Sequence, residues 1–168
     1  MSVKILSTLL FSLTIAFTYA QNKNPNRDNF TLVLPVDGKS SYEQDVVSGP
    51  YFPKEKVLQI YPGETLLIEV ETKRKKIISM KVVTENLSPK KTIEIEFTQT
   101  VKDRKNEFMM LKVLNPFKKD LEYKAMMFIV GRDNWMSTSI IPIKREATGF
   151  EMWNDVLVSL VLTDWELK

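Results

Sequence analysis

The sequence predicts an all-β protein: an antiparallel β-sandwich of immunoglobulin-like arrangement, forming a single domain after a cleaved signal peptide. Three observations carry that reading. Short apolar stretches recur at regular spacing from Val57 onward, and several alternate apolar and polar residues with the period of two that a half-buried strand requires. Turn chemistry or charge separates them, at Pro62-Gly63-Glu64, at residues 73–76, around Pro89 and at residues 102–105. No stretch carries a helical repeat. Many short strands at this spacing favour a sandwich over a closed barrel.

Residues 1–20 open with Lys4, continue through an apolar run over 5–17 and end in Thr18-Tyr19-Ala20. A charged start, an apolar centre and a small-residue cleavage site predict a secretory signal peptide cut near Ala20. Thirteen residues are too few to span a bilayer, and no later run is longer, so no integral membrane segment is expected after cleavage. Residues 21–53 read as an N-terminal arm packed on the domain. The polar stretch 21–29 is expected to fray, residues 30–36 form one strand, and 37–53 cross irregularly with Tyr51 and Phe52 as anchors. Residues 54–168 form the sandwich proper.

Within it, 57–61 is a short strand ended by the Pro62-Gly63 turn. Residues 65–71 place Leu66, Ile68 and Val70 on one face and Glu69 and Glu71 on the other. Residues 77–84 place Ile78, Met80 and Val82 inward, with Ser79 and Lys81 outward. Residues 92–101 set Ile93, Ile95 and Phe97 against Glu94 and Glu96. Residues 107–114 and 122–130 are aromatic- and aliphatic-rich and free of Gly and Pro. The short link between them carries Asn115 and Pro116 and predicts an antiparallel hairpin, with Met110 opposite Met127. Residues 137–143 form a strand that Pro142 marks as an edge, 144–155 a long connection, and 156–167 the last strand. Tyr123 occupies the place of a tyrosine corner or of an ordinary half-buried strand tyrosine.

Composition narrows the chemistry. The chain holds no His and no Cys, which removes the commonest general base, the best covalent nucleophile and the usual zinc ligands. The carboxylate pairs Glu69/Glu71 and Glu94/Glu96 alternate with core residues and so face solvent, with Lys81 available as a cross-strand partner. The Met109/Met110 and Met126/Met127 doublets read as core filler rather than a copper site, since adjacent strand residues point to opposite faces. No enzyme activity, metal or cofactor is expected. The formal charge of +3, or +2 without Lys4, gives no reason to expect nucleic-acid binding. An exported chain without cysteine favours a bacterial periplasmic or secreted protein.

If consecutive strands from Thr65 all alternate in direction, the connections at 72–76, 102–106 and 131–136 share one end. That end collects Lys73, Arg74, Lys75, Lys76, Lys102, Arg104, Lys105 and Arg132 beside Trp135. Two functions follow as expectations. One is an exported non-catalytic module that binds an unknown protein or extracellular polymer, or serves as a structural accessory. The other is a module for an anionic polymer or glycan that uses this basic end with Trp135. Trp153 and Phe150 are expected to plug an open end of the sandwich, and Trp165 to sit on a strand face.

Overall fold

The computed structural model describes residues 25–168; the predicted signal peptide and its cleavage site lie outside them. Within that range the chain forms thirteen strands and no helix. The first five are β1 (Asn26–Arg27), β2 (Phe30–Pro35), β3 (Ser41–Val46), β4 (Gly49–Pro50) and β5 (Leu58–Ile60). Then come β6 (Thr65–Lys73), β7 (Lys76–Val83), β8 (Thr92–Lys102) and β9 (Lys105–Leu114). The last are β10 (Leu121–Ile129), β11 (Met136–Thr138), β12 (Thr148–Trp153) and β13 (Leu157–Leu167). Every ladder is antiparallel.

Two sheets dominate. One has the order β12-β9-β8-β6-β7 and the other β11-β10-β13-β5. Their apolar faces meet in one core, with Ile68, Ile93, Ile95, Phe97, Met109 and Leu111 from the first and Leu58, Leu121, Leu160 and Leu162 from the second, all fully buried. The alternation read from the sequence explains this: Leu66/Ile68/Val70 and Ile93/Ile95/Phe97 lie inward as expected. Glu69 lies outward, opposite Lys81, and pairs with it at 3.0 Å.

Four features depart from the expectation. First, residues 107–114 and 122–130 do not form a hairpin. β9 pairs with β8 and β12, β10 pairs with β11 and β13, and the link between them crosses from one sheet to the other. Met110 therefore lies opposite Thr98 and Met152, and Met127 opposite Met136 and Leu160. The Asn115 side chain makes the corner: it is fully buried, its amide nitrogen donates to three carbonyl oxygens and its Oδ1 accepts from Phe117 N. Second, Ile78 is 45% exposed and Ile77 is buried, because a register shift between Glu71 and Thr72 moves one residue of β7 out of the alternation.

Third, the segment 37–53 is more regular than a crossing loop. β3 pairs along the whole of β2, and Leu32, Leu34 and Val46 pack with Val156 and Val158 into a second, smaller core. Tyr51 and Phe52 do pack against the main core. Phe128 and Val130 join the second core, and they alternate with Met127 and Ile129 of the main one, so the β2–β3 hairpin lies on the outer face of the four-stranded sheet. Fourth, the strand read over 137–143 is cut to β11, and the long connection contains β12, an edge strand. Gly149 explains that placement: a Cβ there would stand 2.6 Å from the Ile143 side chain, so a side chain would force Ile143 out of its seat.

Candidate functional site

The basic connections are not gathered at one end. β6 is flanked by β7 on one side and by β8 on the other, and both run antiparallel to it. β7 and β8 are therefore parallel to each other, and the segment 84–91 returns the chain across β6 rather than turning it back. This breaks the alternation on which the expected cluster rested. The β6–β7 turn, with Lys73, Arg74, Lys75 and Lys76, lies at the end of the sheet where β8 starts. The β8–β9 turn, with Lys102, Arg104 and Lys105, lies where β8 finishes. Thr65 pairs with Glu96, so fourteen strand positions separate Lys73 from Lys102. At about 3.3 Å each, the two turns stand on the order of 40 Å apart. The connection with Arg132 and Trp135 follows the end of β10 and shares the end of the β8–β9 turn, tied there by the hydrogen bonds of Val130 N to Val156 O and of Asn106 Nδ2 to Asn154 O.

Both basic turns are two-residue hairpins with left-handed centres, Arg74 and Lys75 in one, Asp103 and Arg104 in the other. Such primed turns match the strand twist and usually take Asn or Gly. Arg and Lys accept the strain, and their charge keeps the sheet ends from pairing with another chain.

Trp135 is placed differently from the basic groups. Its ring lies on Phe128, centroids 5.4 Å apart and tilted by 44°, and it is 39% exposed. It forms one wall of a shallow cleft of about 160 Å³ on the outer face of the four-stranded sheet. Gln59 from β5, Val158 and Ser159 from β13, Tyr61 and Gln44 from β3 complete the cleft with Phe128. Gln59 Nε2 donates to Tyr61 Oη at 3.0 Å and to Ser159 Oγ at 3.4 Å, and Tyr42 Oη donates to Gln44 Oε1 at 2.7 Å. Burial pushes the Tyr61 phenol above its ordinary value, partly opposed by the Arg27 cation, so the phenol stays neutral at physiological pH. Among the described residues no ionised group lines the cleft. It offers ring faces, amides and hydroxyls.

Beneath Tyr61 lies an arrangement without a signal in the sequence. Arg27, inside the segment expected to fray, is 5% exposed. Its guanidinium binds both carboxylate oxygens of Glu64, at 2.5 and 3.0 Å, and donates to Gln59 O at 2.8 Å. It is clamped by the rings of Tyr51 and Tyr61, 4.6 and 4.8 Å from their centroids. The Tyr61 backbone N–H closes the set by donating to Glu64 Oε2.

The remaining singled-out residues fall into structural places. Glu96 pairs with Lys112 and Glu94 accepts from Asn86, both on the outer face of the five-stranded sheet. Trp165 is buried and stacks on Tyr123 at 4.7 Å, and burial pushes the Tyr123 phenol far above its ordinary value. Trp153 packs against the core and donates to Thr138 Oγ1, while Phe150 is 56% exposed on the outer face and plugs nothing. Among the described residues no three His, Cys, Asp or Glu converge as a metal site, and no helix is long and apolar enough to cross a membrane. The chain matches no protein-family model, no curated protein and no solved structure.

Proposed function

We propose that this protein is an exported, non-catalytic β-sandwich binding module, and that its ligand contact is the Trp135 cleft. The observation that carries the reading is the cleft's composition. An exposed indole braced on Phe128 stands beside two glutamine amides, a serine and a neutral phenol, with no charge among them. Ring faces recognise the apolar face of a sugar, and amides and hydroxyls recognise its edge. One residue of an uncharged glycan fits that chemistry and a volume of about 160 Å³. The anionic-polymer alternative loses half of its basic cluster, because the 73–76 turn stands at the end opposite the 102–105 turn and Trp135. Three of the four carboxylates weighed for catalysis, Glu69, Glu94 and Glu96, are engaged on an outer face, which favours binding over turnover.

Export, and with it a bacterial periplasmic or extracellular location, belongs to the same proposal. Mass spectrometry of the protein from its host should find an N-terminus near Gln21, and an intact Met1 would remove this part. The immunoglobulin-like class is also proposed. Its support lies in neighbour relations: β12-β9-β8 repeats the B-E-D order of that fold and β13-β10-β11 its C-F-G order. The corner from β9 to β10 carries a buried Tyr123, as the E–F corner of that fold does, and β13 carries a buried Trp165 as strand C does. In chain order the strands run D-E-F-G-B-C, a permuted connectivity.

The binding test is a glycan array followed by titration. Trp135→Ala should weaken binding at least tenfold, since it removes the exposed stacking face. Lys75→Glu with Lys76→Glu, about 40 Å from the β8–β9 turn, should leave it unchanged. Equal effects of the two variants, or no neutral glycan bound, would overturn the reading.

A further inference from the structure

The edges of the sheets are unequally guarded. A free edge presents unpaired backbone groups to any passing strand, and proteins protect it with charge, shortness or cover. β3 carries Glu43 and Asp45, β7 carries Lys76 and Lys81, and β12 carries Glu151. β5 and β11 have three residues each. β2, Phe-Thr-Leu-Val-Leu-Pro, has six residues and no charge. It pairs with β3 on one side, and its other side borders a groove of about 440 Å³ lined along its whole length.

The direction of the free groups follows from the ladder. Val36 N donates to Ser40 O, and Leu34, Leu32 and Phe30 stand an even number of residues from it, so these three turn their backbone groups toward β3; Val36 O, past the end of the strand, turns the other way and accepts from Asn106 N. Thr31, Val33 and Pro35 turn theirs toward the groove. Pro35 confirms the phase: its carbonyl accepts from Gln99 Nε2 at 2.8 Å, and it has no N–H to leave unpaired. Among the described residues, that leaves the N–H and C=O groups of Thr31 and Val33 unpaired at strand spacing.

The other side of the groove is formed by Pro62, Gly63, Gln99 and Val101. β6 reaches β8 only to Glu96, and the turn before it only to Phe97, through Phe97 N to Glu64 O and Gly63 N to Phe97 O. Beyond Phe97, β8 has a ladder partner on one side alone among the described residues. Val33 and Val101, both in the groove, are 52% and 42% exposed. Past Val101 stands the β8–β9 turn with Lys102, Arg104 and Lys105 against Asp103.

We propose that this groove is a β-augmentation site: it takes an extended segment of a partner polypeptide that pairs with the free edge of β2 at Thr31 and Val33. Only a polypeptide backbone supplies donors and acceptors at the spacing of an open ladder. Alternate side chains of the segment meet Val33 and Val101, which selects β-branched apolar residues. The net positive turn beyond Val101 selects an acidic residue at one terminus of the segment. A second copy of this chain offering its own β2 is disfavoured, because its edge is flanked by the same groove walls.

The probe is a fluorescein-labelled heptapeptide, Thr-Val-Thr-Val-Thr-Asp-Glu, titrated by anisotropy. A control peptide carries Pro at both Val positions. Val33→Pro removes one groove-facing N–H without touching the β2–β3 ladder, as Pro35 already does. It should keep the melting temperature within a few degrees and weaken the probe at least tenfold. Lys102→Glu with Arg104→Glu should weaken it severalfold at low salt and little at high salt. On peptide binding, the Thr31 and Val33 amides should gain hydrogen-exchange protection. No saturable binding by wild type, equal binding by Val33→Pro or equal binding of the control peptide would each overturn the proposal. So would a concentration-dependent dimer abolished by Val33→Pro, which would make the edge a self-association site.

Discussion

Arg27→Ala is expected to lower the unfolding free energy by about 3–5 kcal/mol, the range for removing one partner of a buried ion pair. The cost has three sources. Glu64 keeps its carboxylate in a place where its side chain is only 12% exposed, with one backbone N–H from Tyr61 as its remaining partner. Gln59 O loses its donor, and the space between the Tyr51 and Tyr61 rings empties. A merely frayed arm would show no such effect, since exposed substitutions fall within about 0.5 kcal/mol. Urea denaturation followed by tryptophan fluorescence measures it. Arg27→Lys separates the contributions: it keeps the charge but loses the two-pronged contact and the planar stacking, and should recover less than half of the loss. If Arg27→Ala unfolds within 1 kcal/mol of wild type, the guanidinium does not anchor the N-terminal segment. The consequence reaches the cleft, because Tyr61 and Gln59 belong to both. Loosening Arg27 should therefore also weaken any ligand held beside Trp135.

That dependence marks a boundary between what the residues announce and what they leave open. β6 and β8 were legible because alternation of Ile, Leu and Val with Glu is a local property, and one buried face enforces it. The Ile77/Ile78 exchange was not, since a register shift depends on how β6 and β7 meet and leaves no mark in composition. β12 was hidden for a related reason: Thr-Gly-Phe-Glu-Met-Trp has a glycine and no clean alternation, and its strand character comes from lying beside β9. The largest misreading was of directions. A short polar segment between two strands says that the chain turns, but says nothing about whether the next strand pairs with the last. Residues 84–91 cross β6, and residues 115–120 cross between sheets, so neither connection is a simple hairpin. Trp135 carries the proposed contact because an indole in a loop keeps its meaning whichever end the loop occupies. The basic residues divide, because their significance rested on being neighbours: Lys102, Arg104, Lys105 and Arg132 share an end with Trp135, and residues 73–76 lie at the other.

The second crossing is the more consequential, and Asn115 can be asked what it contributes. Asn115→Ala should cost about 2–4 kcal/mol, from the two half-buried backbone groups it leaves unpaired, Lys119 O and Phe117 N, at about 1–3 kcal/mol each. The Asn115 amide nitrogen lies 2.8 Å from Lys119 O, 3.1 Å from Ile143 O and 3.0 Å from Lys144 O, so one side chain ties the crossing link to the connection that leads into β12. Phe117 N loses its acceptor in the same substitution. Neither Ile143 O nor Lys144 O is orphaned, since Leu121 N and Ala147 N also reach them, which keeps the loss below that of Arg27→Ala. Asn115→Asp gives the sharper test. Its carboxylate would face three carbonyl oxygens, so burial and repulsion raise its folded pKa above the unfolded value of about 3.9. The sign follows: the folded state holds a proton that the unfolded state has released, so stability is highest below that unfolded value and falls as pH rises toward the folded pKa. At pH 7 Asn115→Asp should be less stable than Asn115→Ala, and acidification toward pH 4 should close or reverse the gap. Denaturation midpoints for the two variants between pH 4 and 8 decide it. A gap that does not change with pH would mean that the amide nitrogen does not face those carbonyls, and the corner between the sheets would need another origin.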